Sequence, residues 1–92
     1  KFTISDLVFR QILEYIAVQT PAIYKISRTR VENYGEGAKI YIEVTVMYGY
    51  NVVEGIKDFK KRARKEIEKL TAMNVVELDV VAKNIYVPEK QD

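Results

Sequence analysis

Residues 48–70, YGYNVVEGIKDFKKRARKEIEKL, contain the local signals on which the predicted fold depends. Asn51 is a favoured N-cap residue, and Glu54 follows it by three positions, where its carboxylate can reach the free N–H groups of a first helical turn. Gly49 permits a sharp turn just before that helix. Apolar residues then recur at spacings of three and four, and these are Val52, Ile56, Phe59, Ala63, Ile67 and Leu70. The segment therefore predicts one long helix with one apolar face.

The remaining positions of this helix carry the densest positive charge in the chain. Arg62 has Asp58 and Glu66 four residues away on either side, which predicts local ion pairs. Arg64 precedes Glu68 by four residues, which predicts another pair. A basic stripe beside the apolar face is a candidate contact site for a partner or a polyanion, and its residues are Lys57, Lys60, Lys61, Arg64 and Lys65. The alternative is an ordinary solvated helix face.

The composition excludes several classes of function. The 92 residues suit one domain, 1–92, with a lead-in at 1–4 and a polar tail at 89–92. The chain has no cysteine and no histidine, which removes thiolate nucleophiles, imidazole bases and the usual zinc sites. With 15 basic and 13 acidic residues the net charge is only +2, so a strong overall field for nucleic acid is lacking. No apolar run approaches the roughly 20 residues that cross a bilayer.

A first helix is predicted ahead of the strands, at about residues 6–19. Ser5 can cap this helix, Asp6 places negative charge in its first turn, and Pro21 prevents its continuation. Its apolar residues recur with helical period, and these are Val8, Phe9, Ile12, Leu13, Ile16 and Ala17. Residues 23–33 are rich in β-branched and aromatic side chains but alternate imperfectly, which favours an edge strand.

The clearest strand covers residues 38–48 and follows a hairpin turn at residues 34–37. Its apolar side chains alternate and are expected in the core, and these are Ile40, Ile42, Val44, Val46 and Tyr48. The residues expected on its other face are Tyr41, Glu43, Thr45 and Met47. Tyr15 is also expected on a packing face.

A last strand follows a turn at residues 71–74 and ends at Pro88. The residues expected on its inward face are Val76, Leu78, Val80 and Ala82. Ile85 and Val87 continue the apolar pattern one residue out of phase. This change of phase predicts a β-bulge at Lys83 and Asn84.

Together these elements predict an α+β fold. We expect a two-layer sandwich in the order α-β-β-α-β, with two helices packed on one face of a three-stranded mixed sheet. The hairpin makes the first two strands antiparallel, and the crossover through the long helix makes the last strand parallel to the second. The sequence leaves open which strand is central.

The sheet face away from the helices is a candidate self-association face. Its predicted residues combine carboxylates with aromatic and apolar side chains, and these are Tyr41, Glu43, Met47, Glu77, Asp79 and Val81. Paired carboxylates can serve acid–base or metal chemistry, but no glycine-rich loop or second type of ligand accompanies them. We therefore expect no catalytic residue, no metal and no cofactor. We hypothesise instead that this acidic face docks head to tail on the basic helix stripe of another copy.

The order of motifs resembles the alkaline shock protein family of Gram-positive bacteria, whose members are general-stress and cell-envelope-stress proteins. The resemblance covers nearly the whole chain and rests on IS at 4–5, YGYNV at 48–52 and VVELDV at 75–80, with an apolar-rich continuation to Ile85. The chain also departs from the family pattern. Ala22 and Asn84 stand where the family often has glycine, and the second helix is more basic than usual.

The resemblance implies a cytoplasmic, non-enzymatic protein that self-associates and, in some members, is held at the membrane by a small anchored partner protein. It implies no active site. We therefore expect a scaffold in the cell-envelope stress response or envelope homeostasis, recruited to the inner face of the membrane by a protein partner. The alternative is a small RNA- or polyanion-binding module that uses the basic helix stripe, although the GXXG loop of the KH module is absent from its place between two helices.

Overall fold

The computed structural model describes residues 4–35 and 37–89. Within these ranges the chain forms two helices and three strands, which are α1 (Asp6–Val18), β1 (Ile23–Tyr34), β2 (Gly37–Met47), α2 (Val52–Thr71) and β3 (Val75–Tyr86). The predicted α+β fold and its element order are confirmed. Most of the predicted lead-in, Glu36 of the predicted turn and residues 90–92 of the predicted tail lie outside the described residues.

The three strands form one mixed sheet in the order β1-β2-β3. β2 is therefore the central strand, which the sequence had left open. It pairs with β1 in antiparallel fashion and with β3 in parallel, as predicted. β1 and β3 are the two edge strands.

The core lies between the helices and one face of β2. Its four alternating residues from β2 are at most 4% exposed, and these are Ile40, Ile42, Val44 and Val46. From α1 the fully buried residues are Phe9, Leu13 and Ile16, and from α2 they are Phe59, Ala63 and Ile67. All ten belong to one hydrophobic cluster, so both helices cover the same face of the sheet.

Both helices begin at the predicted caps. The Ser5 Oγ atom accepts a hydrogen bond from the Val8 N–H at 3.4 Å. The Asn51 Oδ1 atom accepts one from the Glu54 N–H at 3.0 Å. Gly49 has a φ of 100°, a left-handed conformation that glycine adopts without the steric cost of a side chain. The short turn from β2 into α2 depends on this residue.

β3 contains two bulges, and only one was predicted. The ladder with β2 skips Lys83, since Val44 pairs with Ala82 and Thr45 pairs with Asn84. This confirms the predicted bulge. The ladder also skips Val76, so Val75 is 2% exposed and Val76 is 50% exposed. The prediction that Val76 enters the core was wrong, because the extra residue reverses the alternation at the start of the strand.

Four other residues expected on packing faces are exposed. Ala82 is one of them, because no helix covers its part of β3. Tyr48 is 63% exposed because β2 already ends at Met47 and Tyr48 lies in the following turn. Leu70 is 59% exposed because the last turn of α2 extends past Ile67, its last buried residue. Tyr15 is 60% exposed because α1 buries the side of the helix that carries Phe9, Leu13 and Ile16.

The path of α2 across the sheet is diagonal. Near its first turn, Gly55 lies against Ala22, which immediately precedes β1. Near its last turns, Arg64 and Glu68 both contact the backbone of Val75 at the start of β3. The second half of β3 is therefore left without a helix above it, and this explains why Ile85 is 53% exposed although it shares a face with buried Val46.

The contact between Gly55 and Ala22 leaves no room for a side chain. A Cβ atom built on Gly55 would overlap the Cβ atom of Ala22, which is itself buried. Glycine in a helix interior costs up to about 1 kcal/mol relative to alanine. The close approach of α2 to the chain before β1 is a physical reason to keep glycine here.

We expect Gly55→Ala to destabilise the protein, because an overpacked contact costs about 1–3 kcal/mol and outweighs the gain in helix propensity. The double variant Ala22→Gly with Gly55→Ala should recover most of the loss, since it removes the overlapping methyl group. Chemical denaturation of both variants, and of Ala22→Gly alone, measures the effect. A single Gly55→Ala variant as stable as the wild type would contradict the described approach of α2.

Candidate interaction surfaces

The face of the sheet away from the helices, which we call the outer face, carries most of the charged residues of the strands. Residues directly opposite each other in a ladder point to the same side of a sheet. On β1, Lys25, Arg28 and Arg30 pair with Thr45, Glu43 and Tyr41 of β2. On β3, Glu77, Asp79 and Val81 pair with Lys39, Tyr41 and Glu43 of β2. The predicted self-association residues therefore do lie together on this face.

The outer face is bipolar, and the expectation of an acidic face was wrong. One edge strand contributes the cations Lys25, Arg28 and Arg30 and a single carboxylate, Glu32, whereas the other contributes the carboxylates Glu77 and Asp79. The basic edge was missed because β1 has two register shifts, at residues 24 and 27. Each shift reverses the alternation, so the sequence of β1 does not show which of its charged residues share a side.

The middle of the outer face consists of two rows that run across the three strands. One row is Arg30, Tyr41 and Asp79, and the other is Arg28, Glu43 and Val81. Both arginines and Asp79 are exposed, and none of their side chains makes a hydrogen bond or an ion pair with another residue of the described ranges. Positive and negative charge are thus separated by the width of β2.

Tyr41 and Glu43 are linked at the centre of this face. The Tyr41 hydroxyl donates a hydrogen bond of 2.8 Å to the Glu43 Oε2 atom. This hydrogen bond is the main reason that the pKa of Tyr41 is raised above its ordinary value, and the negative charge of Glu43 adds to it. The positive charges of Arg28 and Arg30 act in the opposite direction.

Two tyrosines close one end of the outer face. The rings of Tyr24 and Tyr86 stack with their centroids 3.9 Å apart and their planes within 4° of parallel. Since β1 and β3 flank β2, the two rings meet above the central strand. No local pattern predicts this contact, because the two residues lie in different edge strands and far apart along the chain.

A shallow recess of about 250 Å³ lies at the other end of the outer face. The residues that line it are Arg30, Glu32, Lys39, Ile40, Tyr41, Glu77 and Asp79. Its charges are mixed, with cations and carboxylates both on its walls. Such a lining fits a surface that is itself of mixed charge better than it fits a small anion.

The basic stripe of α2 is partly neutralised by its own helix. Lys57 Nζ lies 3.9 Å from Glu54 Oε1, a pair that was not predicted. Arg62 Nε lies 2.9 Å from Asp58 Oδ2, which confirms one of the predicted pairs. The side chains of three lysines of the stripe make no hydrogen bond or ion pair with any residue that the structure describes, and these are Lys60, Lys61 and Lys65.

Arg64 has a structural contact that the stripe prediction did not include. Its Nη1 atom donates a hydrogen bond to the Val75 carbonyl, and Glu68 Oε2 accepts one from the Val75 N–H at 3.0 Å. The two side chains that were predicted to pair with each other instead satisfy both backbone groups of one residue at the start of β3. A substitution at Arg64 would therefore disturb the fold as well as the charge.

The fold of this chain also occurs in other proteins. No protein-family model matches the chain, and no curated protein matches it. Among solved structures, a copper form of the C-terminal domain of MamM is similar, with a TM-score of 0.67, 12% identity, and coverage of 92% of this chain and 100% of that one. A nickel form of the same domain gives a TM-score of 0.66 at 13% identity over 90% of this chain and 99% of that one.

At such low sequence identity, the structural likeness establishes a shared fold and nothing more. The two MamM forms are a copper and a nickel form, whereas this chain has no cysteine or histidine that could bind either metal. Within residues 4–35 and 37–89, no group of three or more aspartate and glutamate residues is arranged to hold a metal ion. Neither described helix is both long enough and apolar enough to cross a membrane.

We expect Glu43→Ala to lower the pKa of Tyr41 toward its ordinary value of about 10, because the variant removes both the hydrogen bond and the nearby negative charge. Glu43→Gln should lower it less, since the amide oxygen can still accept the bond. The measurement is an NMR pH titration of the Tyr41 ring carbon, assigned with Tyr41→Phe. Glu77→Gln, which removes a carboxylate from the same face, is the matched control. An unchanged titration of Tyr41 in Glu43→Ala would contradict the described contact.

Proposed function

We propose that this chain is a non-enzymatic, self-associating scaffold domain of the alkaline shock type, which acts in the cell-envelope stress response or in envelope homeostasis. The observation that carries the proposal is the outer face. Arg28 and Arg30 on one edge of it, and Asp79 on the other, are exposed and have no ionic partner among the described residues. Such a surface is well suited to bind a surface of complementary charge, because its cations and its carboxylates can then both form ion pairs.

The motif residues that carry the family resemblance support this proposal. Gly49 and Asn51, both in the YGYNV motif, make the turn and the cap from which α2 starts. These two residues fix where the long helix begins. The proposed recruitment to the inner face of the membrane by a protein partner rests on the resemblance.

The likeness to MamM supports a role of the same general kind. The matched part of MamM is its C-terminal domain, so this architecture can serve as an accessory unit joined to another part of a protein. An accessory unit works through its surface contacts. We infer the same for this chain, whose described residues offer the outer face and the basic stripe as contact surfaces.

A second function, binding of RNA or another polyanion, is favoured by one observation. Lys60, Lys61 and Lys65 follow one another along α2 without a salt bridge to another residue that the structure describes. Lysines arranged along a helix can neutralise successive phosphates. The two proposed functions use different surfaces and can therefore be separated by mutation.

We expect Lys61→Glu with Lys65→Glu to leave self-association intact, because the outer face is on the other side of the sheet. Sedimentation velocity over a wide range of concentration measures self-association, and binding to a mixed RNA pool is measured in parallel. The control is Lys61→Arg with Lys65→Arg, which keeps both charges. Arg64 is left unchanged in all variants because it holds Val75.

Each outcome favours one function. Self-association of the wild type that persists in the glutamate variant supports the scaffold. Weaker RNA binding by that variant, with a salt slope smaller by about 0.7 for each phosphate that it no longer neutralises, supports the polyanion-binding module. A wild type that stays strictly monomeric at high concentration and low salt would contradict the scaffold proposal.

A further inference from the structure

We propose that the partner of the outer face is the outer face of a second copy, and that a two-fold axis parallel to the strands relates the two copies. This inference rests on the proposed self-association and adds its geometry. It replaces the head-to-tail contact between an acidic sheet face and the basic helix stripe. The reason for the replacement is that the outer face carries both signs of charge itself.

The order of charge across the sheet selects this axis. Rotation by 180° about a line parallel to β2, above its outer face, keeps the strand direction and exchanges left with right. β1 of one copy then faces β3 of the other. Because Arg30 and Asp79 occupy the same row on opposite sides of Tyr41, each Arg30 comes to face an Asp79 of the other copy, and the contact occurs twice.

The other face-to-face two-fold axis is unfavourable. An axis that runs across the strands places β1 over β1 and β3 over β3. Lys25, Arg28 and Arg30 would then lie against the β1 strand of the other copy, which carries the same cations. Glu77 and Asp79 would likewise lie against the carboxylates of its β3 strand. Like charges brought together in an interface cost several kcal/mol. Charge alone therefore distinguishes the two symmetric arrangements.

Two rows oppose the preferred arrangement and limit its strength. Because β2 lies on the axis, Glu43 of one copy faces Glu43 of the other, with Arg28 beside each of them. At the end of β2 near the hairpin, Glu32 and Glu77 lie on either side of Lys39, so the rotation brings Glu32 toward a second Glu77. Lys39 of both copies lies between these carboxylates and offsets them. Because packed sheets cross at about 30°, contacts weaken away from the axis, and the central rows count most.

Pairing through the strand edges is hindered in this protein. The β1 edge is interrupted by its two register shifts, and Arg10 Nη2 donates a hydrogen bond of 3.1 Å to the Ile26 carbonyl. On β3, Arg64 and Glu68 occupy both backbone groups of Val75. Bulges and side chains that occupy an edge prevent the addition of another strand. The faces of the sheet are thus left as the larger contact surface.

The size of the outer face predicts a weak complex. Three strands of about 11 residues cover roughly 14 Å by 36 Å, or on the order of 500 Å². Stable interfaces bury about 800 Å² on each partner. We therefore expect a dimer that dissociates on dilution and in high salt, since its exposed ion pairs are screened.

The test uses two opposite charge reversals, Arg30→Glu and Asp79→Arg. Alone, each variant places like charges opposite each other twice and should weaken the dimer by about tenfold or more. Mixed in equal amounts, the two variants form a heterodimer with two different contacts. In one, the carboxylate introduced by Arg30→Glu faces the cation introduced by Asp79→Arg, and in the other native Arg30 faces native Asp79. Both contacts are complementary, and the mixture should associate about as strongly as the wild type.

Sedimentation equilibrium of each variant, of the mixture and of the double variant measures the association. The double variant, which carries both reversals in one chain, should also recover. Lys69→Glu, a charge reversal in the last turns of α2, is the control and should not weaken the dimer. Thermal unfolding checks that each variant folds. If mixing the two variants restores association, the restored contact must lie between two chains, because neither variant contains both reversals.

Two results would overturn the proposed geometry while leaving the scaffold function in place. In the first, the wild type self-associates and each single variant self-associates equally well. In the second, the single variants no longer associate, and mixing them does not restore association. A strictly monomeric wild type would overturn both proposals.

Discussion

The structure depends on the burial of one face of β2 under two helices. Ile40, Ile42, Val44 and Val46 are at most 4% exposed, and α1 and α2 both pack on them. At about 25 cal/mol for each Å² of apolar surface removed from water, this layer is the main favourable contribution to folding. Because a strand points alternate side chains to opposite sides, every residue between these four must lie on the outer face. The burial of one face of β2 thus determines which of its residues lie on the outer face.

The diagonal path of α2 follows from contacts at its two ends. The absence of a side chain at Gly55 lets the first turns approach Ala22, and Arg64 with Glu68 attaches the last turns to Val75. The helix therefore covers β2 well and the second half of β3 poorly. Its lysines lie on the helical layer, on the side opposite the outer face. The molecule consequently presents two chemically different surfaces, one on each side of the sheet.

Much of the fold could be predicted because its signals are local. The cap at Asn51, the alternation along β2 and the phase change near Lys83 each involve a few neighbouring residues. The outer face could not be predicted in full, since two bulges in β1 hide the side on which Arg28 lies. The stacking of Tyr24 on Tyr86 and the role of Arg64 depend on tertiary contacts. No local pattern encodes those.

We propose that the outer face is the surface through which this protein meets its own copies. NMR spectra of methyl groups, recorded over increasing protein concentration, test it directly. Met47 and Val81 lie on the outer face, whereas Val53 and Leu70 are exposed on α2. We expect the signals of Met47 and Val81 to shift with concentration, while those of Val53 and Leu70 stay constant. Shifts confined to the α2 methyl groups would contradict it.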